Sequence, residues 1–305
     1  MKNSLSGAHP FSKFIFSIFI ILVTFFITFL VGFLVAIPLF HININDLTGV
    51  LSDYNDPDNI RFLKYLQTIQ ALGLFIIPAF IIGYIFNSKS TAYLKFNLIS
   101  NRSFVLIFFI FLAAIPFINS LALLNEGMQF PEWLKGIEIW MREKETSAQK
   151  LTEAFLKMDS LSSLFFNIIM IGILPAVGEE LIFRGVFQSL FAEWTKNIHV
   201  GIIIAAILFS AMHMQFYGFL PRMILGILLG YLFYWSGSIW APILGHLVNN
   251  TTAVIVYYFY ADEMSRDIEN FGATEGSFIY LIIGVAFLAP LLYLFYKENK
   301  KQIKN

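Results

Sequence analysis

The chain has 305 residues in which 20 Lys plus Arg balance 20 Asp plus Glu, so its formal net charge is zero. Charged residues make up 13%, against about 25% in an ordinary soluble domain, while 58% are hydrophobic and 35 are Phe. So thin a charged coat excludes a disordered chain, a nucleic-acid binder working through a basic surface, and a soluble globular enzyme. The fold class this composition predicts is all-α: one polytopic bundle of about eight transmembrane helices spanning 1–305. Cysteine is absent, which excludes disulfides, thiolate nucleophiles and Cys-ligated metals.

A span needs about 20 apolar residues to cross roughly 30 Å of hydrocarbon. Phe14–Phe40 supplies 27 residues without a charge. It is far longer than the apolar region of a secretory signal (about 7–15 residues) and reads as a retained first span. Tyr65–Phe86, Phe104–Leu124 and Leu161–Arg184 follow, then Val200–Tyr217, Phe219–Trp235, Ile239–Tyr260 and Phe278–Tyr296. Pro78, Pro116, Pro175 and Pro290 fall inside four of these and are expected to kink them. Gly226 and Gly230 form a small-xxx-small pair that allows close helix approach.

With eight spans both termini share one side, together with Lys2, Lys13, Lys89, Lys95, Arg102, Lys196, Lys297, Lys300, Lys301 and Lys304. The segment Ala261–Gly276 on the other side is acidic. The positive-inside rule then puts both termini in the cytoplasm of a multi-pass protein, in the cytoplasmic membrane if the source is bacterial. The loop 125–160 runs against this, with five Lys/Arg among seven acids. In it Trp133, Ile137, Trp140, Ala148, Leu151, Phe155 and Met158 keep helical spacing, which predicts an amphipathic helix in the headgroup region, either bracing the bundle or closing over a site.

Ionisable groups at membrane depth mark function, because burial is costly unless they are paired. Here they concentrate in a core at 161–256, in Glu179-Glu180-x-x-x-Arg184, Phe209-x-x-x-His213 and His246-x-x-x-Asn250. Glu179 and His213 each lie 17 residues from Lys196 in the only charged turn between their helices. In an antiparallel pair that is equal depth, about 25 Å from the turn. His246 and Asn250 share a face by their spacing of four. Glu180 and Arg184, one turn apart, can form an ion pair, which leaves Glu179 free to act as a general base. His9, His41 and His199 fall in loops or at interfaces and are set aside.

These three motifs, in this order and spacing, resemble the signature of the CAAX-processing and bacteriocin-processing (CPBP, or Abi) family, intramembrane proteases typified by the type II CAAX prenyl endopeptidase. The resemblance implies that Glu179 and His213 activate a water against a peptide carbonyl. His246 and Asn250 would steady the oxyanion, with Glu180, Arg184 and Phe209 in support. It leaves the cofactor open between none and Zn2+, the latter on Glu179, His213 and His246, although Glu179 cannot readily be both ligand and base. The partners expected are the bilayer and a peptide or protein substrate, with no nucleic acid. Two other readings stay open. A transporter or proton relay would also place Glu, His and Asn at depth, but the halves show no repeat. A non-catalytic bacteriocin-immunity protein could keep the motifs for structure alone.

Overall fold

A computed structural model describes residues 5, 7–43, 45, 47–128, 130–260 and 278–300. The acidic segment Ala261–Gly276 and Lys2, Lys301 and Lys304, on which part of the charge argument rests, lie outside the described residues. Among those described every regular element is helical: α1 (Pro10–Leu39), α2 (Pro57–Asn87), α3 (Asn101–Glu126), α4 (Lys135–Leu156), α5 (Leu161–Thr195), α6 (Ile198–Ala211), α7 (Phe219–Ser236), α8 (Trp240–Tyr260) and α9 (Phe278–Asn299), with short turns between. The protein is an all-α multi-pass membrane bundle.

Its helices are patterned inside out. On α1 the buried positions are Lys13, Ser17, Thr24, Gly32 and Ala36, a stripe of small and polar residues, while Phe19, Phe26 and Leu30 are exposed. In lipid the apolar face needs no cover, and small residues let backbones approach. Two cores result. One joins α2, α5 and α6 through Ile82, Phe86, Phe183, Phe187 and Phe209. The other joins α3, α7, α8 and α9 through Ile107, Phe111, Leu229 and Phe295.

Six helices among the described residues are long and apolar enough to cross a membrane. The two remaining expected spans differ in kind. The helix α8 has 21 residues but carries His246, Asn249, Asn250, Thr251 and Thr252, which lower its apolarity. The expected span Val200–Tyr217 is not one helix: α6 stops at Ala211 after 14 residues, about 21 Å of rise. A turn with Met214 at φ 52° and a 3-10 turn at Phe216–Gly218 lead back into α7. Asn125 of α3 holds that turn, donating to the Phe216 carbonyl (2.8 Å) and accepting from the Leu220 N–H (3.0 Å). The α6–α7 hairpin thus turns against the C-terminal end of α3.

The expected kinks divide. Pro116 and Pro290 lie within continuous α-helix. Pro78 and Pro175 each follow a π-helical stretch, Leu72–Ile76 and Ile168–Ile173. A proline ring clashes with the carbonyl four residues back and offers no N–H, and the wider π turn relieves both.

One end of the bundle gathers basic residues. Lys13 on α1 bonds Glu193 near the end of α5 (3.0 Å). Arg102 pairs with Glu298 (3.4 Å), and the Lys95 carbonyl accepts from the Ile239 N–H (2.9 Å). Between α5 and α6, Lys196 takes a left-handed conformation and Asn197 caps α6 through the His199 and Val200 N–H groups. This is the charged turn the sequence predicts.

Candidate active site

The segment Pro175–Arg184 begins as α-helix and widens into a third π stretch at Leu181–Gln188. This turns Glu180 and Arg184 into the protein, where both side chains are fully buried. Arg184 Nη1 donates to Glu180 Oε1 at 2.8 Å, the pair expected from their spacing. The same oxygen accepts from His246 Nδ1 at 2.8 Å, a contact from α8 that spacing does not reveal. Arg184 Nη2 donates to the Gly226 carbonyl (3.1 Å), and one turn on Gln188 Nε2 donates to the Gly230 carbonyl (3.1 Å). At Gly226 a Cβ would stand 3.0 Å from the Ala206 Cβ, and at Gly230 one would stand 2.8 Å from Ile202 and from Gln188 Oε1. The small-xxx-small pair therefore lets α6 and α7 close up and bares two carbonyls for α5.

Phe209 is the hub of the site. Its ring meets Phe183 edge-on (5.3 Å), lies 4.6 Å from the Arg184 guanidinium carbon, and contacts the rings of His213 (5.1 Å) and His246 (5.9 Å). Phe183 follows Glu179 by four residues and Phe209 precedes His213 by four. The ring contact levels Phe183 with Phe209 on the antiparallel α5 and α6, with Glu179 one turn further along α5 and His213 just past the end of α6.

Glu179 differs from its neighbour. Both residues keep a buried Oε2 with no hydrogen-bond partner among the described residues, but Glu180 Oε1 accepts from Arg184 and His246, whereas Glu179 takes part in no ion pair there. His213 donates from Nδ1 to the Phe209 carbonyl (2.9 Å). Since a carbonyl only accepts, this fixes the proton on Nδ1 and leaves the Nε2 lone pair outward in the neutral ring. Asn250 Nδ2 donates to the Ile171 carbonyl (3.1 Å), and its Oδ1 accepts from Asn249 (3.1 Å). One of its N–H groups is thus already engaged.

The zinc set that the sequence allows does not assemble. Among the described residues no three His, Asp or Glu side chains converge so as to hold a metal ion. The Nδ1 atoms of His213 and His246 are held by Phe209 and Glu180, which leaves Nε2 of each ring free. What the site lacks for a metal is a third ligand converging with them.

Two features escape the sequence reading. Arg222, in the first turn of α7, bonds Gln215 just beyond His213. The helix α4 docks on the same turn: Glu145 accepts from the Tyr217 N–H (3.1 Å), Arg142 lies 4.5 Å over the Tyr217 ring, and Trp140 packs on Phe216 (5.2 Å). Near the start of α4, Glu138 bonds Arg142 (3.0 Å) and Lys135 (3.3 Å), and these hydrogen bonds hold its carboxyl below the usual range.

Comparison with known proteins matches residues 161–252 to the family described as Type II CAAX prenyl endopeptidase Rce1-like. A Bacillus subtilis (strain 168) protein named "Putative membrane peptidase YdiL" is 28% identical over 137 residues, covering 45% of this chain and 52% of that one. "Uncharacterized protein YpbD" of the same organism is 29% identical over 86 residues, 27% of this chain and 41% of that one. The chain thus spans about half the length of the curated relatives it matches. No solved structure matches it. The matched segment contains all three polar motifs in their order, and over residues 161–252 this membrane protein is similar to the Rce1-like CAAX prenyl endopeptidase family.

Proposed function

We propose that this chain is an intramembrane endopeptidase in which Glu179 and His213 activate a water against a peptide carbonyl. The observation that carries the reading is the unequal state of two adjacent carboxylates. Glu180 accepts from Arg184 and His246 through Oε1, while the adjacent Glu179 has no ion-pair partner; each carboxylate keeps its Oε2 buried and unbonded among the described residues. Two neighbouring carboxylates in a low-dielectric site take different roles when their environments differ.

Glu179 accepts a proton from the water as the water oxygen bonds to the carbonyl carbon. His213, with its lone pair on Nε2, orients that water. The oxyanion faces the second N–H of Asn250 and His246, which donates from Nε2 when its ring carries both protons, its Nδ1–H being held by Glu180. Glu179 then returns its proton to the amide nitrogen as the C–N bond breaks, giving a carboxylic acid and an amine. The peptide-bond substrate and the protease class follow the Rce1-like match and the named membrane peptidase among the relatives. By the positive-inside rule, the basic end that holds Lys13, Lys95, Arg102 and Lys196 faces the cytoplasm.

The test is a quantitative comparison of membranes containing wild-type or Glu179→Gln protein. A peptide that accumulates uncut only with the variant, at equal protein level, is the expected result. Identical peptide profiles would remove the proposal, and solute uptake lost in the variant would favour a transporter.

A further inference from the structure

Five of the chain's arginines lie among the described residues, and four of them pair with a carboxylate: Arg61 with Asp58, Arg102 with Glu298, Arg142 with Glu138 and Arg184 with Glu180. Arg222 does not. Its two hydrogen bonds go to a neutral partner, from Nη1 to the Gln215 carbonyl (3.3 Å) and from Nη2 to Gln215 Oε1 (2.7 Å). Glu145 and Glu179 lie within its electrostatic field, yet neither is an ion-pair partner, and Glu145 is taken by the Tyr217 N–H.

The register of α5 and α7 gives Arg222 its place. Arg184 reads the Gly226 carbonyl and Gln188 reads the Gly230 carbonyl, each pair 42 residues apart, so the two helices run parallel in step. One turn back, the same step sets Arg222 level with Glu180, beside Glu179. The position is built. The guanidinium packs against Gly218, where a Cβ would come within 2.2 Å of Nη1. The turn beneath it is pinned by Asn125 and by Ser210, whose hydroxyl donates to the Phe219 carbonyl (2.6 Å).

A half-buried cation with no carboxylate in ion-pair contact is costly to keep unless an anion comes to it. A guanidinium presents a planar fork matched to a carboxylate. We propose that Arg222 anchors a carboxylate of the peptide substrate close to the cleaved bond. This deepens the endopeptidase reading and rests on it. The carboxylate is either a free C-terminus or an acidic side chain.

The probe is an apolar decapeptide library in detergent micelles, made in three forms: free C-terminal acid, C-terminal carboxamide, and carboxamide with one internal Asp. Retention on full-length Glu179→Gln protein is read by mass spectrometry, and cleavage by wild type is followed separately. A charge-assisted paired hydrogen bond predicts about tenfold or greater retention of a carboxylate form over the plain carboxamide. Adding Arg222→Gln should abolish that preference, and Arg222→Lys, which keeps charge without the fork, should retain part of it even if the Gln variant fails to fold. Preference for the free-acid form identifies a C-terminus, and preference for the Asp form a side chain. Equal retention of all three forms, or a preference unchanged by both substitutions, overturns the anchor. Cleavage without acid preference overturns the anchor alone. Arg222-dependent retention without any cleavage overturns the endopeptidase reading instead.

Discussion

Glu180→Gln removes one charge from a buried cluster and changes little else in shape. Arg184 is 1% exposed and would be left with the Gly226 carbonyl and the Phe209 ring, both of which it already uses. Breaking a buried ion pair from one side costs about 3–5 kcal/mol. The glutamine oxygen can still accept from one donor, which restores about 1 kcal/mol. The net loss is therefore about 2–4 kcal/mol, a fall of roughly 3–6 °C in unfolding temperature for a chain of this size. Thermal unfolding in detergent, followed by tryptophan fluorescence, reads it directly. The double variant Glu180→Leu with Arg184→Met should unfold closer to wild type than Glu180→Gln, because removing both charges leaves neither stranded. Glu179→Gln, which breaks no ion pair, should keep wild-type stability. A Glu180→Gln protein as stable as wild type would refute the assignment of Glu180 as a structural clamp, and a double variant less stable than the sum of its singles would refute the charge argument.

Asn125→Ala removes both bonds that hold the His213–Leu220 turn; a loss of about 1–3 kcal/mol is expected, with turnover lowered together with unfolding temperature. Gly226→Val places a branched side chain 3.0 Å from Ala206, and unfolding should show a loss of about 1–3 kcal/mol, with Gly226→Ala milder. The Glu138 carboxyl is held below its ordinary 4.5, so its contribution to holding α4 is full above that pH and is lost as pH falls through the lower folded value. Trp140 fluorescence in an acid titration should show this step, and Glu138→Gln should abolish it.

Much of the site is legible in the sequence because charge is rare enough at depth to be conspicuous. Equal counts from Lys196 level Glu179 with His213, and the Phe183–Phe209 contact sets the level of α5 against α6. The Glu180–Arg184 pair follows from a spacing of four. What spacing cannot show is which helix meets which. The bond from His246 to Glu180 crosses from α8 to α5, and neither motif alone contains it. The α6–α7 hairpin was obscured for another reason: Phe216 and Tyr217 continue an apolar run, and hydropathy does not register that Asn125 takes the backbone groups needed to extend the helix. Arg222 stands four before Gly226 and eight before Gly230, as Arg184 stands four before Gln188. That shared period is the signal by which the ladder could have been found.

The proline at position 175 reaches further than its own helix. In a regular helix its N–H would bond the carbonyl four residues back, that of Ile171, and in proline this donor does not exist. Hydrocarbon offers no water to replace it. The donor comes instead from α8, as Asn250 Nδ2. Pro78 repeats the arrangement in the wider π register of five residues: the carbonyl it leaves is that of Gly73, and Thr24 of α1 supplies the hydroxyl (2.9 Å). Each ring thus converts a bond within one helix into a bond between two. The consequence is that Pro175 and Asn250 form a compensating pair: Pro175→Ala would return the Ile171 carbonyl to its own helix and release Asn250, while Asn250→Ala would strand that carbonyl only so long as the proline remains.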